Sequence, residues 1–557
     1  MSGPLLISYL SQARAANKTT MPSAWAVRTR TTQEAASPRA FPLPRRVYEP
    51  TLFVLSISQS NTTLLLHLKA MALFIIAAIL LILYLTTLII YNLFLHPLAR
   101  YPGPTLWRAF RFPFILTNIS GQLPHRIHDF HTQYGDIVRV APDELSFIDP
   151  RAWRDIYTSD REFVRPHQYK DQPPGKTAPN LIACSEAEHA RLRKNLAPGF
   201  SEKFTALQEP ILQKYIDALF AKLDAKVASS GGDGATQSAD LDLVEWINYL
   251  AFDVIGDLTW GSSFGCLEGL RYHPWVQTVS QFKAAIVVGS MKFYPLLYRF
   301  MMAITPADAL KPVMEMWKVT DEKVAERVAT ATPSAATRPD FVGIMMALGA
   351  MTQEEMEVNS MLIIAAGSES ITTIITGVIN YLLRDQTTLR ELVDQLHDTF
   401  PTEKDITATR LKSLSYLDAV LMEGMRLCPT IPDAMRRQVP RGGARVAGQF
   451  VPEGMIVSIP PFASYRAPRN FTGPGEFAPK RWLGEDMSKQ KEAFNPFSLG
   501  SHNCPGQNLA WMELRLILAR LLWRYDLAGV DVPAWEKQGI WWFWDKKPLI
   551  VRVRRAQ

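Results

Sequence analysis

Cysteine is scarce in this chain: four residues in 557, at positions 184, 266, 428 and 504, with no C-x-x-C pair among them. A disulfide scaffold or a structural zinc cluster needs more thiols at closer spacing, so both are excluded and any cysteine chemistry rests on one side chain. Net charge is equally scarce outside the N-terminus. Residues 1–69 hold eight Lys and Arg against two Glu, which accounts for six of the seven net positive charges. The nearly neutral remainder has no electrostatic footprint for nucleic acid. With 47% hydrophobic and 20% charged residues the chain is ordinary globular material, neither disordered nor multiply membrane-spanning. At about 150 residues per domain its length suggests three or four domains. There is no internal repeat or long linker, however, and the pattern reads as one large helical domain with a smaller β portion.

One long hydrophobic run is present. Ala70 to Tyr91 contains 22 residues without a charge, about 33 Å as a helix, and reads as a single transmembrane anchor over 70–91. Residues 92–104, with His96-Pro97 and Tyr101-Pro102-Gly103-Pro104, form a Pro-rich hinge that a helix does not cross. The body follows over 105–557. Residues 1–69 are a basic, acid-poor extension, and Met71 opens MALFIIAAILL as a natural start would. The expectation is that residues 1–70 are not native; a genuine basic leader is the alternative, and would expose Asn17-Lys18-Thr19 and Asn61-Thr62-Thr63 as glycosylation candidates.

Helical spacing marks Gln208–Ala228, Met356–Arg384 and the run after Cys504; short extended segments are expected at Ile137–Val140, Gly448–Ser458 and Leu549–Val553. Gly231–Gly234 and Ala331–Pro339 read as loops. The chemistry concentrates in three places. Phe497-Ser-Leu-Gly500-Ser-His502-Asn-Cys504-Pro-Gly506 sets a lone cysteine in a Gly-bounded loop before an amphipathic helix, a pattern suited to an iron thiolate beneath a flat cofactor. Glu423 and Arg426 stand at i and i+3 of one helix, and with Arg481 from Pro479-Lys480-Arg481-Trp482 they suggest a buried lock for that loop. Ala366-Gly367-Ser368-Glu369-Ser370 interrupts an apolar helix with an acid and hydroxyls. A hydroxyl bonded to the preceding turn is expected to open the helix into a groove, with the acid supplying a proton route.

The order of these motifs resembles the cytochrome P450 superfamily of thiolate-haem monooxygenases. FLHPLARYPGP, LIIAAGSES, FAPKRWLGED, FSLGSHNCPGQNLAWMELRLILARLLW and WDKKPLIVRV look especially like membrane-bound members from fungal secondary metabolism. The resemblance spans about Phe94 to Val553. It implies a mainly α P450 fold with a small β region, a single haem domain behind an N-terminal transmembrane helix. It implies Cys504 as the iron ligand, Glu423, Arg426 and Arg481 as a structural triad, and Glu369 and Ser370 as the acid and alcohol of oxygen activation. His189, Arg193, Arg437 and His502 match haem-propionate positions, and Phe497 and Gly500 frame the cofactor loop. Haem b, electrons from NADPH through cytochrome P450 reductase, cytochrome b5 and a lipophilic small-molecule substrate are the implied cofactors and partners. The implied location is the endoplasmic reticulum membrane, single-pass, with the haem domain in the cytosol.

This chain departs from the family pattern in carrying His at 502, Ser at 370 and Lys at 480, and Pro505 leaves sulfur-directed N–H groups to Gly506 or Gln507 onward. Expected pocket walls are Ile364–Thr373, Pro429–Met435 and Pro166–Leu181, with Met435, Ile431, Phe462 and Ile364 as apolar liners. Two other readings are an isomerase or dehydratase of the same fold that uses no oxygen, and a haem-free, non-enzymatic membrane protein. The intact acid–alcohol pair argues against the first, the complete cysteine loop and triad against the second.

Overall fold

The computed structural model describes residues 52–159, 162–166, 175–230, 237–280, 288–306, 309, 311–330, 338–484 and 488–556. Most of the N-terminal extension, the Gly231–Gly234 loop, most of Ala331–Pro339 and the 167–174 part of one expected pocket wall lie outside the described residues. Two compact units divide at Leu95/His96.

In the first unit, helix α1 (Leu52–Ile90) continues as a π-helical turn over Tyr91–Leu95. The 30 residues Leu66–Leu95 are long and apolar enough to cross a membrane. The helix thus starts before residue 70 and outruns residue 91, because no Gly or Pro interrupts 52–95. Thr86 and Thr87 return their hydroxyls to the Ile82 and Leu83 carbonyls at 2.8 Å, which satisfies both polar groups within the helix.

The second unit is mainly helical. Strands β1 (Ile137–Ala141) and β2 (Glu144–Phe147) precede helices α2 (Glu186–Leu196) and α3 (Glu202–Ala228). Strand β3 (Ser238–Asp242) runs directly into α4 (Leu243–Trp260), and Asp242 caps the helix by accepting from Val244 N. The central helix α5 (Gln353–Arg384) starts at a Thr352–Glu355 capping box, three residues ahead of the periodic pattern. Helix α6 (Ser415–Leu427) is followed by β4 (Arg437–Gln438), β5 (Ala444–Val446), β6 (Gln449–Val451) and β7 (Ile456–Ser458). Helix α7 (Gln507–Arg524), β8 (Tyr525–Asp531), the β9–β10 hairpin (Ile540–Trp541, Phe543–Trp544) and β11 (Ile550–Arg555) complete the chain.

The four-stranded sheet has the order β1-β2-β7-β4, with β2 and β7 parallel, and the three-stranded sheet β3-β11-β8. The principal core surrounds α5, whose Ile371, Ile374, Ile375 and Val378 are buried against α4, α6 and α7. That burial explains how an apolar 32-residue helix belongs to a water-facing unit. Helices α5 and α6 approach closely because Gly424 lies against Val378 and Gly377 against Cys428 Sγ; a methyl at either position would overlap its neighbour.

One buried group makes this packing sensitive to acid. His131, 5% exposed, faces the Gly135 carbonyl through Nδ1 and Ser146 Oγ through Nε2, both at 2.8 Å. A carbonyl only accepts, so Nδ1 carries the hydrogen and Nε2 accepts from the hydroxyl, which fixes the neutral ring. Burial pushes its pKa down to about 4. The unfolded imidazole takes a proton as pH falls through about 6.5, while the folded one resists until about 4, so stability present above 6.5 is lost on the way down. Between pH 7.5 and 4 the wild type should lose on the order of 3 kcal/mol more than His131→Gln in urea denaturation; equal losses would contradict this account.

Candidate active site

The cysteine loop is shaped by its own backbone. Cys504 N donates to the Phe497 carbonyl at 2.8 Å, Asn503 N to Gly500 O at 3.1 Å, and Gly506 N-caps α7. Gly500 has φ +71°, and a Cβ there would overlap the Tyr157 carbonyl oxygen, so glycine is required by close approach as well as by conformation. The Cys504 side chain reaches accessible surface, whereas Cys184, Cys266 and Cys428 are buried. Enclosure on its remaining sides pushes the Cys504 thiol up, against the Gly506 N–H and the Arg193 charge. Pro505 has no N–H, and Gly506 supplies the backbone donor instead.

Basic groups collect beside this loop. Helix α2 carries Glu186, His189 and Arg193 along one face. Arg193 clamps the loop, donating at 2.6 Å to both the Asn503 carbonyl and its Oδ1. The His189 and His502 rings stack 3.8 Å apart, and His502 Nε2 meets Glu186 Oε2 at 2.6 Å. Burial holds the pKa of His189 down to about 4, helped by His502 and Arg165. Arg437, fixed by the β4–β7 pairing, is buried over the Tyr157 ring. Arg165 is buried too; its Nη1 donates to the Ile182 carbonyl at 2.6 Å and its Nε has no partner. Burial and the neighbouring Arg437 lower its pKa to about 10. Among the described residues neither Arg165 nor Arg437 forms an ion pair, and the nearby acid Glu186 is engaged by His502. Two buried cations without carboxylates, beside a thiol on a glycine-shaped loop, fit a dianionic haem. Arg165 was not legible in the sequence, because what brings it to the site is the pairing of Val164 with Gln438 of β4.

The structure brings Glu423, Arg426 and Arg481 together. Arg426 Nε and Nη2 grip Glu423 bidentately at 2.9 and 2.8 Å, and Arg481 Nε reaches Glu423 at 3.1 Å. Ala478 N and Trp482 Nε1, each at 2.9 Å, complete the carboxylate's shell. Arg426 also donates to the carbonyls of Tyr465, Pro474 and Glu476. Lys480 points away to Glu391.

On α5, Ala366 is exposed and Ile363, Gly367 and Ser370 are half-buried, a stripe at helical spacing; Met361 and Leu362 are half-buried beside it and Ile371–Leu383 is buried throughout. Ser370 Oγ donates back to Ala366 O at 2.7 Å, yet α5 stays continuous from Gln353 to Arg384 instead of opening. Glu369 lies beside the stripe and is ion-paired to Lys546. Two expected liners belong to the core: Ile364 sits one residue out of phase with the stripe, and Phe462 packs against His125, Arg466 and Trp544. Met435 and Ile431 are half-buried, and the Met435 carbonyl accepts from Tyr157 Oη at 2.6 Å.

A helical body with this cysteine loop, buried carboxylate lock and hydroxyl-bearing helix is the arrangement that the resemblance to the haem-thiolate class implies. The chain belongs to the family described as Cytochrome P450, which it matches over residues 101–542. It is 37% identical over 482 residues to the averantin hydroxylase of Dothistroma septosporum, covering 85% of this chain and 90% of that protein. It is 38% identical over 493 residues to the Cytochrome P450 monooxygenase stcF of Emericella nidulans, covering 86% and 99%. The Cytochrome P450 monooxygenase atr2 of Stereocaulon alpinum is 37% identical over 479 residues, with 84% and 92% covered. The protein is a haem-thiolate monooxygenase of the fungal secondary-metabolism type, which inserts oxygen into a lipophilic substrate with electrons from a redox partner. The alternatives without oxygen or without haem are not favoured.

The lock generates a stability prediction. Glu423→Ala leaves the Arg426 guanidinium fully buried without its counter-charge, a change that typically costs about 3–5 kcal/mol. Folded, haem-loaded protein should fail to accumulate. Lys480→Ala removes an exposed pair worth about 0–1 kcal/mol and should leave yield and melting temperature unchanged.

Proposed function

We propose that Cys504 would be the iron ligand of a haem b, with its loop and α5 supplying the residues around it. The observation that carries this reading is the pair of buried, carboxylate-free cations Arg165 and Arg437 beside that loop. They would receive the haem's carboxylates, with His502, His189 and Arg193 around them. Haem bound there supplies oxygen activation and insertion of one oxygen atom. The chain's own residues do the rest. Arg193 and the Phe497 carbonyl hold the loop in register, and the Glu423 lock keeps the chain leading into it from shifting. Ala366 is exposed beside Ser370, while Gly367 lets Ile255 of α4 pack against the helix. The Ser370 hydroxyl, now turned to Ala366 O, rotates to hand a proton inward, with Glu369 behind it.

NADPH-cytochrome P450 reductase is the proposed electron donor, with cytochrome b5 as an auxiliary. The Leu66–Leu95 helix, followed by Arg100 and Arg108, supports an endoplasmic reticulum anchor with the haem domain in the cytosol. Two relatives named averantin hydroxylase support hydroxylation as the outcome and averantin as the first probe.

Two experiments test this reading. Cys504→Ser should abolish the long-wavelength Soret band of the reduced carbon-monoxide complex. Cys184→Ser, Cys266→Ser and Cys428→Ser, whose thiols burial pushes up and which lie in the core, should keep it. A retained band in Cys504→Ser would refute the ligand assignment. Ser370→Ala should bind haem normally while diverting electrons from hydroxylated probe to hydrogen peroxide; unchanged coupling would move the hydroxyl's role to Thr372 or Thr373.

A further inference from the structure

The acid–alcohol pair of α5 has a third member, in the WDKKPLIVRV segment, to which the family resemblance assigns no role. Lys546 lies just after the β9–β10 hairpin, and its Nζ donates to Glu369 Oε2 at 2.6 Å and stands 3.4 Å from Thr373 Oγ1. The Lys546 and Glu369 side chains are 6% and 11% exposed. This is not a loose surface arm. Trp544 Nε1 donates to the Pro429 carbonyl at 2.8 Å on one side; on the other, Leu549 N donates to Asp242 Oδ1 at 3.0 Å and Leu243 N to the Leu549 carbonyl at 2.9 Å. Other titratable groups of this region are Asp545 and Lys547 on either side of Lys546, and Asp242, Glu245 and Tyr272, whose phenol senses Glu245, Asp242 and Glu369.

An ammonium carries N–H protons it can give up, whereas a carboxylate only accepts. A relay that must deliver a proton therefore stores it on the lysine. We propose that Lys546 is the proton-holding residue of the relay and that Glu369 receives its proton on the way to the pocket. The proposal rests on the reading of Glu369 and Ser370 as that relay. In the transfer to Glu369 the Nζ–H bond breaks and an O–H bond forms on Oε2, so the ion pair becomes a neutral acid and a neutral amine. The amine regains a proton from solvent, which reaches the adjacent exposed Lys547 and Pro548. One solvent proton is consumed for each one delivered, and no electron moves in this step.

The test uses the holoenzyme with Lys546→Met, Lys546→Arg, Glu369→Gln and, as a surface control, Lys547→Met. Infrared spectroscopy without turnover should show a protonated-carboxyl band at pH 7 in Lys546→Met, absent from wild type and removed by adding Glu369→Gln. Absence of that band in Lys546→Met would overturn the pairing. With reductase and NADPH but no substrate, oxygen consumption should fall about tenfold or more in Lys546→Met and its solvent isotope effect should rise. Lys546→Arg keeps the charge but holds its proton too tightly to donate, so it should remain slow. Recovery of the wild-type rate and isotope effect in Lys546→Arg would show that charge alone suffices and would sink the proposal. Wild-type behaviour in Glu369→Gln and Ser370→Ala would instead be the failure of the underlying relay reading.

Discussion

Five hydrogen-bond donors converge on the two carboxylate oxygens of Glu423, from Arg426, Arg481, Ala478 and Trp482. A fully buried carboxylate is tolerable only with such a shell, and a shell drawn from α6 and the 472–482 segment ties the two together. The connection continues by packing. Trp482 lies 4.6 Å from Phe494, centroid to centroid; Tyr465 packs on Phe494 and accepts from Asn495 N; and the Asn495 carbonyl accepts from Ser498 N. From there the chain enters the cysteine loop. The position of the Cys504 sulfur is therefore inherited from a buried ion pair more than seventy residues upstream in sequence.

The sequence exposed this framework unevenly. Motifs whose chemistry is local were readable: the glycine-framed cysteine, the i, i+3 pair of Glu423 and Arg426, and the hydroxyl-bearing helix. Their family resemblance then related Arg437, Arg193 and the two histidines to one cofactor edge. Arg165 and Lys546 were not readable, because each is delivered by long-range backbone pairing. Arg165 arrives through the Val164–Gln438 bridge and Lys546 through the anchoring of Leu549 on Asp242. The misplaced liners have a different cause. Ile364 and Ala366 are two residues apart, but on a helix that is about 200°, so an apolar segment does not say which of its members faces a cavity. The helix runs beyond both ends of the 70–91 span, because hydropathy marks an apolar stretch while the helix itself continues to Leu95, just before Pro97.

Charge in two parts of the body is arranged by opposite rules. Beside the cysteine loop Arg165 and Arg437 are buried without an ion pair among the described residues. On α5 the carboxylate of Glu369 is already paired with Lys546. The first arrangement suits an anionic ligand, the second leaves that acid compensated within the protein.

Tyr157 joins parts that a list of motifs keeps apart. Its carbonyl abuts Gly500, its ring lies beneath Arg437, and its hydroxyl holds the Met435 carbonyl. The tyrosine is a strut between the cysteine loop and the 429–435 segment. A displacement of that segment loads the same residue on which the cysteine loop leans, so the two are coupled without any helix having to move.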